Sequence, residues 1–181
     1  GAVLHYFRET QPAAPLDHIR RITVRRSHEA MHLDAATIRN LEILKPMVFG
    51  DSAQEPRGTA LAAVLDRTVT AMGSRLLRQW LVRPLIQCSQ IRARLDAVGE
   101  LKDCLEERVA LRAALREVQD IARLGSRIVL GYAGPRELLA LKQSLAVLPE
   151  IASRLAPLQS SLLVEALASW DDGRDLYEMI E

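Results

Sequence analysis

The sequence predicts a mainly α-helical, multi-helix fold with one small β-hairpin near residues 19–33. Three observations lead there. Leucine and alanine, both strong helix formers, supply 29 and 24 of the 181 positions. Aromatic residues, which favour strands, make up only 4% of the chain. From Thr59 onward, apolar residues recur at intervals of three and four, the spacing that draws a stripe along a helix. A chain that is 49% hydrophobic with a net charge of +1 is too apolar and too neutral for disorder. Its length suits one ordinary domain or a large piece of one.

Each element has a local reason. The opening Ala2-Val3-Leu4-His5-Tyr6-Phe7 reads like the end of a helix whose start is missing, and it suggests a fragment of a longer protein. Pro12 and Pro15 stop any helix there. Ile22 and Val24 alternate with Thr23 and Arg25, and Met31 and Leu33 flank His32 after a polar turn, which gives the hairpin. Asp34 is placed to cap a helix over residues 35–45, and the proline- and glycine-bearing stretch from Lys45 to Gly58 reads as a loop.

A short helix is predicted over 60–66. A second runs over 71–82, capped by Thr70, with Met72, Leu76, Leu77, Trp80 and Leu81 on its buried side and Pro84 at its end. Ser89 is the candidate cap of the next helix, whose stripe is Ile91, Leu95, Val98, Leu101 and Leu105. The apolar pattern over 107–130 slips near Glu117 to Asp120, so a break belongs there. Gly134-Pro135 with Glu137 starts a helix that should stop at Leu148, before Pro149. Pro149 and Pro157 bracket a short helix, and Ser160 or Ser161 caps another carrying Leu163, Leu167 and Trp170. Asp171-Asp172-Gly173 interrupts, and the chain stops at Glu181 while still in a helical pattern.

Several functions find no support in these residues. Cys88 and Cys104 are too few for a disulfide framework, and no Cys/His spacing fits a zinc module. The four histidines, His5, His18, His28 and His32, crowd the first 32 positions, and the His28/His32 pair falls on a turn and a strand, not a helix. Gly131 to Pro135 lacks the lysine and spacing of a phosphate loop. No apolar run reaches the roughly 18 residues of a membrane span, and no signal peptide opens the chain, so a reducing compartment is the default. No catalytic, cofactor-binding or metal-binding residue is assigned.

Charge is more informative. Six arginines and no acid lie between positions 67 and 94: Arg67, Arg75, Arg78, Arg83, Arg92 and Arg94. Arg20, Arg21, Arg25 and Arg26 form a second basic group, whereas residues 159–181 hold six acids against one arginine. Those six arginines are the candidates for facing a nucleic acid, and the bland alternatives are a solvated helix face or pairing with acids elsewhere in a parent protein.

The stretch Leu33-Asp34-Ala35-Ala36-Thr37-Ile38-Arg39-Asn40-Leu41-Glu42-Ile43 resembles the opening of the core domain of MutS-family DNA mismatch-repair proteins. From Leu65 to Leu85 the ordered Asp66, Thr70, Gly73, Arg75, Leu76, Trp80 and Pro84 resemble the same family. So do Tyr6 to Gln11, then Ile91, Arg94, Val98, Asp120, Arg123 and the Gly134-Pro135-Arg136-Glu137-Leu138 turn. The resemblance covers the chain from about residue 2 to 181 and favours the mismatch-recognising branch.

It implies that residues 1–181 are a fragment of the core, also called the lever or domain III. The clamp and the returning helical segment would be absent. It implies a connector between an ATPase domain and a DNA clamp, without catalysis of its own, in which Asp34, Arg39, Asn40, Leu41 and Glu42 are structural, with the motif residues from Asp66 to Pro84. In the parent protein it implies ATP and magnesium, mismatched duplex DNA, a MutL-type partner and a homodimer, in a bacterial cytoplasm at the nucleoid. A missing return segment would leave apolar surface uncovered and favour self-association. The alternatives are a nucleic-acid-binding or protein-docking helical module that uses the stretch from Arg67 to Arg94.

Overall fold

The computed structural model describes residues 6, 9, 10, 30–47 and 59–180. Among them are nine helices: α1 (Ala35–Asn40), α2 (Leu61–Leu65), α3 (Ala71–Val82), α4 (Cys88–Asp103), α5 (Leu105–Glu117), α6 (Ile121–Val129), α7 (Pro135–Leu155), α8 (Ser161–Ala168) and α9 (Arg174–Ile180). The mainly α expectation holds. Tyr6, Glu9 and Thr10 are helical, and the Thr10 hydroxyl donates to the Tyr6 carbonyl at 2.8 Å.

The hairpin expected near residues 19–33 falls largely outside the described residues, and none of residues 30–33 is in a strand. Residues 19–29 lie outside the described part, and Ala30 forms an isolated antiparallel bridge with Leu85. Met31 N–H donates to the Pro84 carbonyl at 2.7 Å in the same place. Proline has no N–H of its own, but its carbonyl is free to accept.

Two units can be traced through the hydrogen bonds. In the first, Leu61 and Ala62 at the start of α2 donate to the carbonyls of Glu42 and Ile43 at 3.0 and 2.9 Å. The Ala30–Leu85 bridge then ties the end of α3 back to the entry of α1. The second unit is the bundle α4–α9. There α7 packs against α5, α6, α8 and α9, and α4 packs against α5 and α8. Its core is Leu111, Ala114, Val118, Ile151 and Leu158, with Leu101, Cys104, Leu155, Leu163 and Trp170 packed around it.

Ser144 is fully buried on α7. Its hydroxyl donates to the Ala140 carbonyl at 2.8 Å and accepts from the Gln119 N–H at 2.9 Å. The break between α5 and α6, expected near 117–120, is therefore held by a side chain from a different helix.

Several boundaries differ from expectation for identifiable reasons. α1 ends at Asn40, well short of residue 45, because Glu42 takes a left-handed φ of 49° that reverses the chain. α4 starts at Cys88 behind Gln87, with no side-chain cap from Ser89. α7 passes through Pro149 to Leu155, so the helix proposed between Pro149 and Pro157 is its last turns. Proline inside a helix costs about 3 kcal/mol. Here Ile151, 3% exposed, and Leu155 lie beyond it in the core, and their burial offsets that cost. Ser160 precedes α8 without a hydroxyl cap; Glu100 takes that part, accepting from the N–H groups of Gln159 and Ser160 at 2.5 and 2.8 Å.

The apolar stripes are the largest departure. Leu95 and Val98 are 62% and 64% exposed, and Leu105 and Val109 are each 58% exposed. On α4 the buried residue is Ala97, since α4 meets its neighbours through that side and through Leu101. On α3, Leu76 and Trp80 are also exposed, and Met72 is its contact with the core.

Two substitutions should separate packing from hydrogen bonding in the bundle. Leu111→Ala should cost about 2–5 kcal/mol through the cavity it leaves. Ser144→Ala should cost about 1–2 kcal/mol through the orphaned Gln119 N–H. Urea unfolding with an unchanged slope checks both.

Candidate functional site

The motif-bearing region is the corner between α2 and α3, together with the surface where it meets the bundle. Asp66 ends α2 and organises the turn. One of its carboxylate oxygens accepts from the Thr68 hydroxyl and N–H at 2.6 and 3.1 Å, and the other accepts from the Ser74 hydroxyl at 2.6 Å. These bonds, led by Ser74 and Thr68, hold its carboxyl below the usual aspartate range. Thr70 caps α3 as expected, its hydroxyl accepting from the Gly73 N–H at 3.0 Å.

Gly73 is small for a reason visible here. A Cβ added to it would lie 3.0 Å from the Thr70 hydroxyl oxygen and 3.4 Å from Thr68 Cβ. The close packing at this residue is therefore between a helix and its own cap.

Arg75 leaves α3 and reaches Asp120 with both terminal nitrogens, at 2.5 and 2.8 Å. Asp120 is the N-cap of α6 and also accepts from the Arg123 N–H at 3.2 Å. The Arg75 fork, then the Arg123 N–H, outweigh partial desolvation and hold the Asp120 carboxyl down at about 2. Close by in sequence, the Arg112 guanidinium donates to the Arg67 carbonyl at 2.9 Å. The Arg94 guanidinium carbon lies 3.6 Å from the Trp80 ring centroid, a cation–π stack.

The other motif residues are placed as follows. Asp34 caps α1, accepting from the Thr37 N–H at 2.7 Å. Arg39 lines an open groove of about 580 Å³ with Ala35, Ile38, Leu44 and Met47. Asn40 and Leu41 close α1 on the surface, and the Glu42 carboxylate accepts from the Met47 N–H at 2.8 Å. Pro84 and Leu85 carry the bridge to Met31 and Ala30.

Of the six candidate DNA-facing arginines, Arg75 and Arg94 are engaged within the fold. Arg67, Arg78, Arg83 and Arg92 are exposed, and Arg78 feels the Asp66 charge. The six do not gather into one cluster of free cations. Cys88 is exposed, and half-buried Cys104 packs against the core. His32 is exposed, while His5, His18 and His28 lie outside the described residues. No helix of the described part is long and apolar enough to cross a membrane.

Sequence reasoning missed the groove at α1, the partner of Arg75 and the role of Glu100. The first two depend on contacts between distant segments. Glu100 could have been flagged as the acid beside an otherwise apolar turn of α4, but its partners 59 and 60 residues away carry no local signal.

The MutS domain III family matches residues 36–181. A DNA mismatch repair protein MutS from Symbiobacterium thermophilum is 46% identical over 98% of this chain. One from Caldanaerobacter subterraneus is 41% identical over the whole chain, and one from Solibacter usitatus is 45% identical over 83% of it. The chain spans about one fifth of the length of these curated relatives, between 17% and 20%.

Two measurements test the corner. Gly73→Ala should lower the thermal midpoint, because the new methyl displaces the cap. Gly99→Ala, where nothing lies within 4 Å, should raise stability by about 0.5–1 kcal/mol. The Asp120 carboxyl has a lower pKa folded than unfolded. Its contribution is therefore present above about pH 4 and lost as pH falls towards 2. In acid titrations followed by circular dichroism, Asp120→Asn should unfold with a shallower dependence on pH across that window.

Proposed function

The chain belongs to the MutS domain III family, and from that premise we infer that it serves as a mechanical connector in a DNA mismatch-repair protein. In this reading it carries changes in nucleotide state at an ATPase domain towards a DNA clamp, and its own residues do no catalysis. ATP and magnesium act elsewhere in the parent protein. Mismatched duplex DNA, a MutL-type partner and a second copy of the protein are engaged through the parent as well.

The observation that carries this reading is the bundle itself. α7 has 21 residues, so it runs about 30 Å, and it packs against four other helices. Close-packed interiors move between discrete arrangements and do not bend smoothly. A displacement at one end of such a body is delivered at the other. The family-motif residues act in this reading as structure: Asp34, Asp66 and Thr70 set helix ends, and Gly73, Arg75, Leu76, Trp80 and Pro84 set how α3 sits. Arg39, Asn40, Leu41 and Glu42 set how α1 turns into the segment before α2.

A second reading has one observation in its favour: Arg67, Arg78, Arg83 and Arg92 are exposed in a stretch without a single acid. A phosphate backbone would attract them. Affinity of the chain for duplex DNA that falls steeply with salt favours direct binding, and no binding at low salt leaves the connector ahead.

The connector is tested in the intact repair protein with Leu111→Ala, a change inside the seam between α5 and α7. ATP-driven release from mismatched duplex should slow several-fold while nucleotide binding is kept. Release at the normal rate, in a variant shown by denaturation to be destabilised, counts against coupling through this bundle.

A further inference from the structure

The two units traced by the backbone are each self-tied, and among the described residues the side-chain hydrogen bonds between them are all made by arginine. α1, α2, α3 and the Ala30–Leu85 bridge close on one another. The bundle α4–α9 closes through Ser144 and Glu100. Between them, the described side-chain bonds are the Arg75 fork on Asp120 and the Arg112 bond to the Arg67 carbonyl, with the Arg94 stack on Trp80 beside them. Met72 is the residue of α3 packed against the bundle core. α3 has no buried residue at all, and its main helix neighbour is α2.

An apolar joint excludes water and holds whatever the salt concentration. This joint is made largely of guanidinium groups within reach of solvent; the Arg75 side chain is 54% exposed. Such contacts are directional when formed, yet individually weak and screened by salt.

We propose that the α1–α3 unit is a hinged arm, latched to the α4–α9 bundle by Arg75 on Asp120 and free to swing about Ile86 and Gln87, between the Ala30–Leu85 bridge and the start of α4, when that fork opens. The latch fixes one orientation of the arm while leaving both units intact on release. Asp120 also caps α6, so opening and closing acts directly on the break between α5 and α6, where the Ser144 hydroxyl holds the Gln119 N–H. The proposal deepens the connector reading by naming the joint, but it rests on the geometry and is tested without any repair activity.

The experiment is a pair of distance measurements by pulsed electron spin resonance on the chain with Cys88→Ser and Cys104→Ala. Labels at Gln79 on α3 and Gln143 on α7, both exposed, report the joint; labels at Ala113 and Gln143 report the bundle alone. At about 0.1 M salt the Gln79–Gln143 pair should give one narrow distance. Arg75→Ala should raise the population of a longer, broader distance by about fivefold, the upper range for an exposed ion pair. Raising salt to about 1 M, where the Debye length falls to about 3 Å, should act in the same direction. Arg75→Lys, which keeps the charge but not the fork, should fall between. The Ala113–Gln143 distance should not change in any of these.

An unchanged Gln79–Gln143 distance in Arg75→Ala and at high salt overturns the latch. So does equal broadening of both pairs, which means that the chain loosens as a single body. Asp120→Asn, which keeps a capping side chain on α6, repeats the test without disturbing that helix start.

Discussion

The seam between α5 and α7 is the constraint on which the rest of the bundle depends. Leu111, Ala114 and Val118 on one side meet Ile151 and Leu158 on the other side of the core. All five are between 3% and 8% exposed, while the outer faces of the helices leave large apolar residues in water. The seam reaches the end of α5, where Ser144 accepts from Gln119 and fixes the turn into α6. A larger side chain at Ser144, which has no exposed surface, has nowhere to go. The position of α6, the placing of Asp120 at its cap and the seat for Arg75 all follow from that turn.

Arginine, not lysine, suits the surface where the two units meet. The Arg75 fork matches both oxygens of one carboxylate, which fixes an angle as well as a distance. The Arg94 guanidinium carbon sits 3.6 Å over the Trp80 ring centroid, a contact available to a delocalised cation with weak hydration. The arginine excess first read as a basic patch thus has in part an internal explanation. Two of the six guanidinium groups between positions 67 and 94 are engaged within the fold. The Arg67 backbone serves as an acceptor for a third contact.

Local signals carried most of the fold. Asp34, Thr70 and Gly134 mark helix starts by chemistry that acts within four residues, and each stands where its type predicts. Pro149 misled because the rule that stops a helix at proline is also local. The burial of Ile151 beyond it is a tertiary effect that overrides it. Ser160 misled in the same way, since the acceptor that serves the start of α8 comes from α4. The stripe from Ile91 to Leu105 was legible as an apolar face, but period alone does not say what, if anything, lies against it. In the described residues, Leu95 and Val98 face solvent. The site was the least legible part, because Arg75 and Asp120 are 45 residues apart and neither carries a sign of the other.

A connector must satisfy two demands that pull against each other. It must be stiff along its length, or a push at one end dissipates before reaching the other. It must also yield somewhere, or nothing attached to it can move. Within a well-packed bundle the second demand is hard to meet, since loosening the core costs stability everywhere in it. A polar joint placed outside the core meets both. In the proposed hinge the α4–α9 bundle would keep its apolar seam whether the joint is open or closed, since the Arg75 contact lies outside the core, where water can replace it. Their individual weakness is then the useful property, because a contact worth several kcal/mol would fix the arm permanently. This division of labour also accounts for the distribution of buried residues. The core cluster falls wholly within α5, α7 and the turns that follow them, and none of it falls on α3.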